Sequence, residues 1–149
     1  MPQVINFYNL EDPYGEFSNF ARFPIRLGEK VWPTSEHYFQ AQKHIGTPLE
    51  EQIRLSAKTR EAFDLARSQP YRSDWEQVKD AIMHQAVLAK FTQHPHLGQL
   101  LLSTDDALLV EHTVNDRYWG DGGDGSGKNK LGRILMSVRE QLGRLPEQA

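Results

Sequence analysis

Helix-start signals outnumber strand signals along this chain, and that punctuation is what most narrows the folds open to it. Thr34 or Ser35 is placed to cap a short helix that stops just before Gly46. Thr47, Pro48 and Glu50 form a capping box with proline at the first helical position, opening a second helix that turns Leu49, Ile53 and Leu55 inward. A third helix runs from about Thr59 to Arg67. Ser73 and Glu76 make another capping box, after which Trp75, Val78, Ile82, Ala86 and Ala89 recur at helical spacing as far as Phe91. His94-Pro95 ends that helix. Leu97, Leu100 and Leu101 mark another, and Leu131, Ile134, Leu135, Val138 and Leu142 form the buried stripe of the last.

The strand signals are short. Val4, Ile5, Phe7 and Tyr8 precede a polar turn, and Leu108 to Thr113 reads as an isolated strand. Phe23 to Leu27 and Lys30 to Trp32 make a hairpin through Gly28-Glu29, whose leading glycine suits a type II′ turn. The expectation is a mainly α fold of the α+β kind: a compact helical bundle with a few short β-strands, including a small N-terminal hairpin. With 149 residues, 38% of them hydrophobic, the chain suits one domain spanning 1–149. Seventeen basic against twenty acidic residues give a net charge of -3, so the surface as a whole does not attract nucleic acid, and only a local basic pocket remains open. The absence of cysteine excludes disulfides, thiolate nucleophiles and Cys-based zinc sites. No apolar run approaches the roughly twenty residues needed to cross a bilayer. The start, MPQVINFYNL, lacks the basic and apolar blocks of a signal peptide, and a soluble cytoplasmic protein is expected.

Two segments carry chemistry. In PTSEHYFQAQKH, from Pro33 to His44, helical geometry puts Glu36, Gln40 and Lys43 on one polar stripe at offsets of four and three. The Glu36 and Lys43 backbones lie roughly 10 Å apart, and a long lysine leaning toward the helix N-terminus passes over Gln40 toward the carboxylate. The stripe reads either as a site for a sugar or as a solvated helix face. The second segment, NDRYWGDGGDGSGKNKLG from Asn115 to Gly132, sets Asp116, Tyr118, Trp119 and Asp121 before a glycine-rich loop, with Lys128, Asn129 and Lys130 at a helix entrance. Loops of this kind let backbone amides approach an anion, which makes phosphate the natural ligand; a flexible surface loop is the alternative. Gly122 to Asn129 nearly spells a P-loop, but Asn129 stands where a hydroxyl would hold magnesium. The six histidines include no HExxH pair, so no metal is indicated, and His37 is expected to be a packing residue behind Glu36.

Together with EFSNF at Glu16 to Phe20, Trp75 and LVEHT at Leu109 to Thr113, these segments resemble the YbiA-like or NADAR family of N-glycosidases, in family order over residues 5 to 140. The resemblance implies a mainly helical fold, no cofactor, and hydrolysis of a bond between a ribose phosphate and an exocyclic amine. The implied substrates are the phosphoribosylamino-pyrimidine intermediates of riboflavin biosynthesis, or ADP-ribose on guanine in nucleotides or DNA. Two routes follow. In one, Lys43 attacks a ring-opened imine while Glu36 shuttles protons. In the other, Glu36 and one of Asp116 or Asp121 act as acid and base on a closed ring, and Lys43 only binds phosphate or orients Glu36. Trp75 and Trp119 are expected to stack on the base, Asn19 to contact the ribose or phosphate, and Gln40, Asp121, Lys128 and Asn129 to complete the substrate site, with Arg133 beside them. A non-catalytic ADP-ribose-binding module is the reading from a different class.

Overall fold

In chain order the elements are β1 (Val4–Phe7), a single 3-10 turn (Gly15–Phe17), β2 (Ile25–Leu27), β3 (Lys30–Trp32), α1 (Ser35–Gln42), α2 (Pro48–Arg54), α3 (Thr59–Ala66), α4 (Trp75–Gln93), α5 (Pro95–Leu102), β4 (Leu108–Glu111) and α6 (Lys130–Gly143). They come from a computed structural model that describes residues 3–144. The contacts divide these residues into two units, one of residues 19–90 and one of residues 3–18 with 91–144.

The first unit is built where the capping signals cluster. Thr34 takes extended backbone angles at the N-cap of α1, and its hydroxyl accepts the His37 N–H at 3.0 Å. Pro48 opens α2 as expected, but the capping box closes differently. Thr47 Oγ1 donates back to the His44 carbonyl at 2.7 Å, and Glu50 Oε1 accepts from the Gly46 N–H at 3.0 Å, one residue before the cap. Leu49 and Ile53 turn inward, whereas Leu55 is 68% exposed: it is the C-cap residue of α2, beyond the last turn of its apolar face. The helices α1, α2 and α3 pack on one another, and β2 pairs antiparallel with β3, Leu27 opposite Lys30. Their core gathers Ile25, Trp32, Ala41, Leu49, Ile53, Ala62, Ala66, Ala86 and Ala89. The small alanines of α1, α3 and α4 admit close helix packing. The hairpin turn is type I′ rather than II′, because Gly28 and Glu29 both have positive φ, 62° and 64°.

The second unit contains a pairing that local signals did not reveal. β1 pairs in parallel with β4, Val4 opposite Leu108 through Phe7 opposite Glu111. The strand expected to reach Thr113 ends at Glu111, since the Thr113 N–H leaves the ladder for Asp121 Oδ1 at 3.1 Å. α6 lies on β4 and on α5, burying Leu131, Gly132, Leu135 and Val138. Phe17 sits edge-on to Phe7 and to Phe91, with centroids 5.7 Å apart in both pairs. No helix among the described residues is long and apolar enough to cross a membrane.

Candidate active site

The polar stripe of α1 is buried. Glu36, Gln40 and Lys43 are 7%, 2% and 9% exposed, which excludes the solvated-face reading. Burial of a carboxylate and an amine on one short helix needs compensation, and the neighbours supply part of it. Gln40 Nε2 donates to Glu36 Oε2 at 2.6 Å, fixing the carboxylate one turn back on the helix. That bond dictates the orientation of the amide and leaves Gln40 Oε1 buried without a partner.

Lys43, at the C-cap of α1, folds its side chain into an aromatic cage. Its Nζ stands 4.5 Å from the Tyr71 ring centroid, 5.5 Å from Phe39 and 5.7 Å from Trp75, and donates to Tyr71 Oη at 3.5 Å. Burial pushes its ammonium down to about 8; Glu36 works against that shift, and the cations Arg67 and Lys79 add to it. Roughly a quarter of the amine is therefore neutral near pH 7.5, against about a thousandth for an ordinary lysine.

The supporting residues explain how α1 holds this geometry. Asn19 Oδ1 accepts from Ser35 Oγ at 2.7 Å, its Nδ2 donates to Met83 Sδ at 3.1 Å, and its carbonyl accepts the Glu36 N–H at 3.2 Å. Asn19 thus clasps the first turn of α1, where a sugar contact was expected, because its amide is buried and engaged at both ends. His37, fully buried behind the stripe, places Nδ1 2.8 Å from Thr34 Oγ1 and Nε2 3.1 Å from the Ser56 carbonyl. The carbonyl can only accept, so Nε2 carries the proton and Nδ1 accepts from the threonine. Burial lowers the basicity of that ring in keeping with the neutral form. Trp75 is 5% exposed, 5.1 Å from Phe39 and 6.4 Å from Tyr71, and forms a wall of the lysine cage rather than an open stacking platform.

The remaining expected site residues belong to the other unit. The glycine-rich loop there is folded on itself. The N–H groups of Gly122, Gly127, Lys128 and Asn129 donate to the carbonyls of Asp116, Asp121, Arg117 and Gly120, and those of Lys130 and Leu131 at the start of α6 donate to Tyr118 and Trp119. These are the amides an anion cradle would present, and here protein carbonyls take them. Asp116 Oδ1 accepts the Tyr118 and Trp119 N–H groups at 2.9 and 2.8 Å. Asp121 accepts from the Thr113 and Gly123 N–H groups and lies 2.7 Å from His112 Nδ1. Its burial favours the neutral acid, but those hydrogen bonds together hold its carboxyl below the usual range. Asn129 Oδ1 accepts the Glu111 N–H and its Nδ2 donates to the Leu109 carbonyl, so this amide ties α6 to β4. Trp119 is half-buried, 4.8 Å from Tyr118 and nearly perpendicular to it, while Lys128 is exposed with Nζ 5.4 Å over the Tyr118 ring. Among the described residues no three histidine or acidic side chains gather as a metal site would require.

Similarity to known proteins covers nearly the whole chain. The NADAR domain model matches residues 6–143, across both units. The chain belongs to the NADAR domain family. Among relatives of this NADAR domain, N-glycosidase YbiA of Escherichia coli is 55% identical over 141 residues, covering 93% of this chain and 88% of that one. An N-glycosidase of Nostoc punctiforme is 44% identical over 147 residues, covering 93% and 92%. A riboflavin biosynthesis protein of Vibrio vulnificus is 43% identical over 144 residues, covering 95% of this chain but 39% of that longer protein. The solution structure of the E. coli YbiA protein superposes with a TM-score of 0.91 at 51% identity, covering all of this chain and 92% of that one. Within the NADAR domain described here, Phe39 and Tyr71 are the site residues that sequence reasoning missed. Phe39 lies one turn before Lys43 and was legible as its neighbour, but Tyr71 follows Pro70 in an irregular stretch with no periodicity to place it.

Proposed function

We propose that this chain is an N-glycosidase that cleaves the bond between a ribose 5-phosphate and the exocyclic amine of a base, with Lys43 as nucleophile and Glu36 as proton carrier. The observation that carries this reading is the Lys43 amine: buried, pushed down to about 8, and in the field of the Glu36 carboxylate.

An exocyclic amine lets its lone pair expel the ring oxygen of the sugar, and Glu36, when protonated, supplies the proton to that oxygen. The product is an open-chain imine between C1 and the base. Neutral Lys43 adds to C1, a proton passes from its nitrogen to the nitrogen of the base, and the C1–N bond to the base breaks. The base leaves as a free amine and C1 remains bound to Lys43 as a Schiff base. Glu36 then takes a proton from water as it adds to C1, and loss of the lysine releases ribose 5-phosphate. The closed-ring route is less well supported, because Asp116 and Asp121 both hold loop backbone N–H groups.

Phosphoribosylamino-pyrimidines fit this chemistry, and the name of the Vibrio relative supports a substrate from riboflavin biosynthesis. ADP-ribosyl-guanine presents the same exocyclic C1–N bond and is the alternative substrate. The test is to incubate the protein with each substrate under single-turnover conditions with borohydride and to map the product by mass. A reduced ribose phosphate adduct on Lys43, absent in Lys43→Met, is expected. Release of free base with no adduct at any time would overturn the lysine route, and tight binding without release would make the chain a binding module.

A further inference from the structure

Tyr71 is the one aromatic of the Lys43 cage that is largely exposed, at 40%, while Phe39 and Trp75 are 3% and 5% exposed. An exposed tyrosine in an irregular segment would ordinarily point into water. Here the backbone pins it instead. The Arg72 N–H donates to the Lys43 carbonyl at 2.9 Å, and the Trp75 N–H donates to the Arg72 carbonyl at 3.1 Å. The Arg72 guanidinium grips Asp74 through Nε and a terminal nitrogen at 2.6 and 2.9 Å. The segment is thereby hooked onto α1 at the residue whose amine it covers. Edge contacts to His44, 5.7 Å away, and to Trp75 then set the plane of the ring. His44 is itself fixed through Nε2, which donates to the Ala66 carbonyl at 2.7 Å.

We propose that Tyr71 is a positioning residue for the Lys43 amine: its ring closes the outer wall of the aromatic cage, holding Nζ in one place and keeping bulk water from it. This rests on the reading of Lys43 as nucleophile, and it assigns a function to a segment, residues 67–74, that the reaction scheme leaves unused. Phe39 and Trp75 form fixed inner walls, so the outer ring is the wall whose removal exposes the amine. Water reaching Nζ stabilises the ammonium, so opening the cage moves the amine back toward the ordinary lysine range. The charged groups that act on Lys43 from around it are Glu36 on α1, Arg67 after α3 and Lys79 on α4, and substitution at Tyr71 changes none of them.

The test compares Tyr71→Leu and Tyr71→Met, which remove the ring, with Tyr71→Phe, which keeps it. Each full-length protein, without ligand, is treated with a small amine-acylating reagent across pH 6 to 11, and labelling is read peptide by peptide. Lys90, 1% exposed, is the internal fold monitor: its labelling marks a variant that has opened generally. The methionine variant fills the space with a flexible chain and keeps the test alive if leucine folds poorly. The midpoint of Lys43 labelling is expected to rise by about one pH unit in both ring-less variants and to stay near the parent value in Tyr71→Phe. In turnover, kcat near pH 7.5 should fall about tenfold with KM changed less than about twofold, and part of the loss should return at higher pH. An unmoved Lys43 midpoint in a ring-less variant with unlabelled Lys90 overturns the proposal. The labelling does not use substrate, so it is independent of the borohydride experiment: a moved midpoint without a substrate adduct would sink the lysine route and leave Tyr71 as a positioning residue for the amine.

Discussion

A lysine that must attack as a free base ties rate to pH in a stated direction. With its ammonium at about 8, Lys43 should give a rate that rises with pH toward that value, and the need for a protonated Glu36 to open the ring should bend the profile down above it, measured as kcat over KM from pH 6 to 9. The same depression acts on stability. The folded value lies below the unfolded one, so at pH values under about 8 the fold carries a charged amine it disfavours, and this cost disappears above the ordinary lysine range near 10.5. Lys43→Met should therefore abolish turnover and stabilise the protein by about 1–2 kcal/mol at pH 7, the full shift being discounted for residual solvation and the contacts with the rings. Urea melts of both proteins at pH 7 and pH 10.5 check it, since the gap should close at the higher pH. Gln40 gives a second residue-scale prediction. Gln40→Met removes the donor that fixes Glu36 and also the unpaired Oε1, so kcat should drop about tenfold while stability stays within about 1 kcal/mol. A large stability loss with intact kcat would show that the amide serves packing alone.

Helices were legible from the sequence because their signals are local: Thr34, Pro48 and Pro95 each stand where a helix begins. What escaped was set by partners distant in sequence. β1 and β4 lie about a hundred residues apart, and nothing in VINF announces LLVE as its neighbour. The Glu36–Gln40–Lys43 stripe was readable from helical offsets, whereas its burial and the Tyr71 wall depended on how segments far along the chain return to α1. The glycine cluster left its partner open in the sequence, because composition reports that backbones approach closely, not whether the thing approached is phosphate or protein. Two elements offer tests of their own. Thr34→Ala removes both the N-cap of α1 and the hydroxyl bonded to His37, and should cost about 1–2 kcal/mol in urea denaturation at pH 7.5. In the hairpin, Glu29 bears a φ of 64° that glycine tolerates better. Glu29→Gly should accordingly raise stability by about 0.5–1 kcal/mol, and a loss would argue that its side chain contributes to the turn.

At the scale of the whole chain, residues 19–90 form a unit of their own between the two segments of the other, and the NADAR match runs through both. Within the discontinuous unit a short parallel ladder pairs the two segments, and that ladder depends on how closely α6 can lie against β4. Gly132 sets the approach. A Cβ built there would stand 2.0 Å from the Leu109 carbonyl oxygen and 2.4 and 2.6 Å from the amide atoms of Asn129, the residue that clamps β4 through Glu111 N–H and the Leu109 carbonyl. Backbone cannot yield as a flexible side chain does, so Gly132→Ala must push α6 away from the strand and break the Asn129 clamp together with the packing of Leu131 and Leu135. The expected cost is about 3 kcal/mol or more in equilibrium urea unfolding. Gly143→Ala, in the same helix, meets only Leu102 Cδ2 at 3.9 Å and should change stability by less than about 1 kcal/mol, because alanine is the better helix former and finds room. The contrast is what decides: equal effects at the two glycines would mean that helix propensity, not the contact between α6 and β4, governs this part of the molecule.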